Sequence, residues 1–114
     1  MARKLLLLVL TLAGCAKGAD ADLPYIGQAR SLAAEWALLN EQASDGHLTG
    51  AYTRTMRAAV RQQLETTSKS IGDPRSRYGV EIAALLKEPD DAPPAALRAH
   101  AAKLKQIEDS LESA

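Results

Sequence analysis

Apolar residues recur at steps of three and four through most of this chain, and the runs are cut by glycine, proline and small polar residues at 44–47, 71–74 and 88–94. That period places them on single helical faces, and no run shows the strict alternation of a half-buried strand. Ile26, Ala29, Leu32/Ala33, Trp36, Leu39 and Ala43 predict a first helix over about 24–43. Pro24 suits its first turn, and Gly46 in Ser44-Asp45-Gly46-His47 is free to take the left-handed conformation that ends it. Thr49 can cap a second helix over about 49–70, with Tyr52, Met56, Ala59/Val60, Leu64 and Ile71 as its buried stripe. Ile71-Gly72-Asp73-Pro74 then stops one helix and starts another, with Asp73 as cap and Pro74 as first residue of a helix over about 74–87. Tyr78, Ile82 and Leu85/Leu86 form its apolar side. Glu88-Pro89-Asp90-Asp91-Ala92-Pro93-Pro94 cannot continue a helix and reads as a stiff acidic connector. A fourth helix runs from about 94 to near the end, where Leu97, Leu104 and Leu111 are seven apart, with His100 and Ile107 at the +3 positions between them.

The expected fold is therefore all-α: a small antiparallel bundle of about four helices, either up-down-up-down or two packed hairpins. The chain has no phenylalanine and much alanine. Small side chains suit closely packed helices and give a thin core. Charge placement adds a test of the topology. Arg98, Lys103 and Lys105 come early in the fourth helix and Glu108, Asp109 and Glu112 late, while Arg75 and Arg77 lie at the start of the third. Both arrangements oppose the helix dipole. Antiparallel packing of these two helices would set the acidic end of one against the basic start of the other.

The first fifteen residues follow a different logic. Arg3 and Lys4 precede the apolar run Leu5 to Leu12, then come Ala13, Gly14 and Cys15. The run is too short to span a bilayer, which takes about 20 apolar residues. Leu12-Ala13-Gly14-Cys15 matches the lipobox, and the stretch resembles the signal peptide of a bacterial lipoprotein. The resemblance implies cleavage between Gly14 and Cys15, a diacylglyceryl group on the Cys15 thiol and acylation of the new amine. Two or more chains hold a protein firmly to a membrane where one is marginal. Because Ala16 rather than Asp follows the cysteine, the resemblance further implies an outer-membrane anchor with the domain facing the periplasm. The expected organisation is a signal peptide over 1–14, a flexible tether over 15–22 and a helical domain over 23–114.

Removing the signal leaves 12 Lys+Arg against 14 Asp+Glu, a net charge of −2. That balance gives no general attraction to nucleic acid or to anionic lipid. The only cysteine is committed to lipid, which leaves neither disulfide nor thiol chemistry for the domain. The two histidines, His47 and His100, have no second His or Cys at ligand spacing, so no metal site and no cofactor is expected. His47 reads as an exposed turn residue and His100 as a boundary packing residue. No serine lies in a Gly-x-Ser-x-Gly setting, and no glycine loop of the phosphate-cradling kind is present. Trp36 fills the core or, alternatively, anchors a partner. Tyr25, Tyr52 and Tyr78 read as end-of-core packing with solvated hydroxyls.

The row Arg54, Arg57 and Arg61 is the one candidate binding feature of the domain. It is either a solvated helix face, with Arg61 paired to Glu65, or a site for an acidic partner such as envelope polymer or lipid. The expected function is that of a non-catalytic lipoprotein that binds another envelope protein. Binding of envelope polymer or lipid through the arginine row is the second reading.

Overall fold

The computed structural model describes residues 19–114. The lipobox residues Leu12, Ala13, Gly14 and Cys15 lie outside the described residues. Four helices make up the fold: α1 (Ala19–Ser44), α2 (Gly50–Ser70), α3 (Arg77–Leu86) and α4 (Pro94–Glu112). Each runs antiparallel to the next. α1 touches all three others, α3 does the same, and α2 and α4 do not touch each other. The order is up-down-up-down, with α2 and α4 on opposite corners. Among the described residues, no helix is long and apolar enough to cross a membrane.

The core is the sum of the periodic faces. Ile26, Ala29, Leu32, Ala33, Trp36 and Ala37 of α1 meet Val60 and Leu64 of α2, Tyr78, Ile82 and Leu85 of α3, and Leu97, Leu104 and Ile107 of α4. Leu97 and Leu104 of the heptad seam are fully buried, while Leu111 packs at its edge. In α2 the expected Val60, Leu64 and Ile71 are buried, and the departure from expectation is at Tyr52 and two threonines. Thr53 and Thr67 are buried and Tyr52 is half exposed. Each threonine hydroxyl donates to the carbonyl four residues back, Thr49 and Gln63, so only its methyl group faces the core.

Local signals set most boundaries. Gly46 has φ of +77° and ends α1 in a Schellman turn, with Gly46 N–H on the Ala43 carbonyl and His47 N–H on that of Gln42. Thr49 caps α2 by accepting from Tyr52 N–H. At α3 the cap is Ser76, which accepts from Gly79 N–H, and not Asp73. Asp73 instead accepts from Arg75 N–H, so Pro74 belongs to a turn before the helix. That turn folds tightly on α3. A Cβ at Gly79 would lie 2.6 Å from the Pro74 carbonyl oxygen, a clash only glycine avoids.

The expected tether over 15–22 is shorter than its sequence suggested, because α1 already starts at Ala19. Alanine favours helix, and Asp20 and Asp22 suit the positive end of the dipole. Pro24 consequently lies in the second turn, where it costs α1 one backbone bond. A long-range latch holds that turn. The Asp22 carboxylate, 2% exposed, accepts from Gly72 N–H at 2.9 and 3.1 Å and from the Tyr78 hydroxyl at 2.6 Å. The Tyr78 hydroxyl is thus buried and bonded, not solvated.

The expected offset of charge between α3 and α4 is not what forms. Among the described residues Arg75 and Arg77 have no carboxylate partner, and Lys103 lies beside the same cleft. It is α1 that compensates α4. Arg30 Nε sits 3.0 Å from Glu108, as an ion pair without good hydrogen-bond alignment, and Arg98 pairs with Glu41.

Burial, followed by the hydrogen bond to the Asp22 carboxylate, raises the Tyr78 hydroxyl pKa above the ordinary tyrosine value. A raised folded-state pKa means stability that is complete below about pH 10 and lost as pH rises through the folded value. Urea unfolding above about pH 10 should therefore show a steeper loss of stability in the native chain than in Tyr78→Phe. Equal slopes would show that the latch does not couple to the proton.

Candidate functional site

The densest polar arrangement lies where the α3–α4 connector crosses α1 and α2. Pro89 and Pro93 carbonyls accept backbone N–H groups, but those of Glu88, Asp90 and Ala92 find side-chain donors. Trp36 and Asn40, one turn apart on α1, supply three of them. Trp36 Nε1 donates to the Asp90 carbonyl at 3.0 Å, and Asn40 Nδ2 donates to the carbonyls of Asp90 and Ala92 at 3.0 and 2.9 Å. Arg61 reaches across from α2. Its guanidinium donates to the carbonyls of Leu86 and Glu88 at 2.7 and 2.8 Å, pairs with the Asp90 carboxylate at 3.0 Å, and lies 5.0 Å from the centre of the Trp36 ring. Arg57 Nε completes the set by donating to Asn40 Oδ1 at 2.9 Å.

The arginine row is therefore not one free basic face. Arg54 is exposed, whereas Arg57 and Arg61 turn to their own chain. Arg61 pairs with Asp90 and not with Glu65. Trp36 is 2% exposed and belongs to the core, its polar edge fixed by the connector. Asn40 is the residue that sequence reasoning passed over. Its signal was a polar side chain on the apolar stripe, four residues after Trp36.

A second polar cluster surrounds His100. Its Nδ1 lies 3.2 Å from Glu81 and its Nε2 2.8 Å from Glu88, so the ring ties α4 both to α3 and to the connector. His47 is exposed in the α1–α2 turn, with Nδ1 2.7 Å from Gln42. Among the described residues no group of three His, Cys, Asp or Glu side chains is arranged to hold a metal ion.

The most apolar opening lies elsewhere. Glu35, Leu38, Leu39 and Gln42 of α1, Leu48 of the turn, and Tyr52, Met56 and Val60 of α2 line a groove of about 320 Å³. Leu38 is 53% exposed and Tyr52 51%, and both are large apolar side chains left in water at one place. The displacement of Tyr52 from the core by Thr53 is what opens this groove. No family model, curated protein or solved structure matches this chain.

Asn40→Ala would leave the Ala92 carbonyl and Arg57 Nε without their partners and should lower stability by about 2–3 kcal/mol. Arg54→Ala, which removes no such bond, should stay within about 0.5 kcal/mol. Chemical denaturation of both variants tests whether the connector is held as described.

Proposed function

We propose that this chain is a small lipid-anchored lipoprotein whose helical domain faces the periplasm from the outer membrane and serves as a non-catalytic protein-interaction or scaffold module. The leader supports the anchor: a short apolar run after Arg3 and Lys4, then Leu12-Ala13-Gly14-Cys15. The α1–α2 groove supports the protein partner. It is apolar, open and lined by an exposed tyrosine, the kind of surface that anchors a partner's side chain. Its position favours protein over lipid. Leu38 lies about 30 Å along α1 from Ala19, the end nearest Cys15, so the groove stands away from the membrane. The reading in which Arg54, Arg57 and Arg61 bind envelope polymer or lipid has less behind it, since Arg57 and Arg61 are engaged internally.

A photo-crosslinking side chain at Leu38 in intact cells should capture one protein in stoichiometric amount. The adduct should disappear in a Met56→Glu variant and should not form from position Arg54. Equal, diffuse labelling from both positions would refute the interaction reading. Mass analysis of the cellular protein tests the anchor directly. Acylated Cys15 is expected in the outer-membrane fraction, and Cys15→Ser should remain a full-length, unacylated precursor.

A further inference from the structure

The start of α3 and the second half of α4 enclose a second cleft, of about 360 Å³, lined by Arg75, Arg77, Val80, Lys103, Gln106 and Ile107. Its cations are not neutralised. Arg75 and Arg77 are exposed without carboxylate partners among the described residues. Lys103, 67% exposed, is only loosely paired with the buried Glu81 at 3.8 Å. Among them stands Val80, 59% exposed. Cations around an exposed aliphatic side chain match the headgroup region of a membrane, with phosphates outside and hydrocarbon within.

Position gives the second argument. Asp22 fastens the first turn of α1 to Gly72, which leads directly into Arg75, and to Tyr78 in the first turn of α3. Cys15 precedes Ala19 by four residues, a reach of at most about 14 Å. The point of lipid attachment and the basic cleft therefore belong to the same end of the bundle. Three carboxylates at this end are engaged by side chains or the latch: Asp22, Glu108 by Arg30 and Asp109 by Lys105. Asp20, Asp73 and Glu112 are exposed, and Asp73 accepts from the Arg75 backbone N–H, not from its guanidinium. The charged residues that line the cleft itself are nonetheless all cations, and local charge governs attraction within a Debye length of about 8 Å.

We infer that Arg75, Arg77 and Lys103 dock on the anionic phospholipid headgroups of the leaflet that holds the Cys15 lipid, with Val80 at the headgroup boundary. The inference rests on the lipid-anchored reading. Docking gives the bundle a fixed face toward the membrane and turns the Leu38–Tyr52 groove outward.

The full chain, coupled through the thiol of Cys15 to a maleimide lipid, can be placed on vesicles of phosphatidylcholine alone or with about one-third phosphatidylglycerol. An arginine-directed dicarbonyl reagent, read residue by residue by mass spectrometry, then reports the contact. Arg75 and Arg77 should be modified about fivefold or more slowly on the anionic vesicles, with Arg54 unchanged. The protection should vanish in about 0.5 M salt, where the Debye length is about 4 Å, and in a Lys103→Glu variant that keeps its helical circular dichroism. Equal rates on the two vesicles would overturn the inference. So would equal protection on neutral vesicles supplied with inorganic phosphate, which would mark a soluble-anion site. Because chemistry imposes the anchor in this experiment, the acylation state of the cellular protein tests the anchored reading separately.

Discussion

The bundle depends on the capture of its acidic connector. Between α3 and α4 the chain contains two prolines, with a third opening α4, and cannot run as a helix. Trp36, Asn40 and Arg61 provide the missing donors, and Asn40 joins the connector to Arg57 at the same time. Ala92, buried to 1% exposure, follows as a small wedge against the core. The Asn40 bond to its carbonyl lies two residues before α4 begins, so it fixes where that helix starts against α1. The pairs Arg98–Glu41 and Arg30–Glu108 are then in register, one near each end of the longest helix interface.

How the sequence encodes this differs between its parts. Helix existence was legible because apolar spacing is a local property. The bounds of α2 and α4 were legible because Thr49 and Pro94 act on their own first turns. Two neighbouring capping candidates, Asp73 and Ser76, made the start of α3 ambiguous, and the nearer contact of Asp73 with Arg75 decided it. On α2 the apolar positions Val60, Leu64 and Ile71 were legible, whereas aromatic Tyr52 was counted as buried and Thr53 and Thr67 as polar. A threonine that bonds back to its own helix is apolar toward its neighbours. Asp22, Arg57 and Arg61 could not be placed by pattern at all. Asp22 receives a peptide N–H and Arg61 donates to carbonyls, groups that every residue carries, so the sequence does not point to them.

The two ends of the bundle differ in chemistry. One presents the start of α1, the basic cleft and the Asp22–Tyr78 latch. The other presents the α1–α2 turn and an apolar groove free of charges except Glu35. Under the proposed lipid anchor at Cys15, the first end would face the membrane and the second the compartment.

The bond between Arg61 and Leu86 has an effect on how the domain comes apart. α3 carries no basic residue in its own last turn, and its ten residues are fewer than the roughly 12–15 that an isolated helix needs. The positive charge at its negative pole comes from α2. Its first turn is likewise held by a residue of α1, Asp22. α3 thus has no existence apart from the helices on either side of it. Loss of α2 or of the start of α1 dissolves it, and with it the cover over α4. Partial opening that removes α2 or the start of α1 therefore takes the short helix with it.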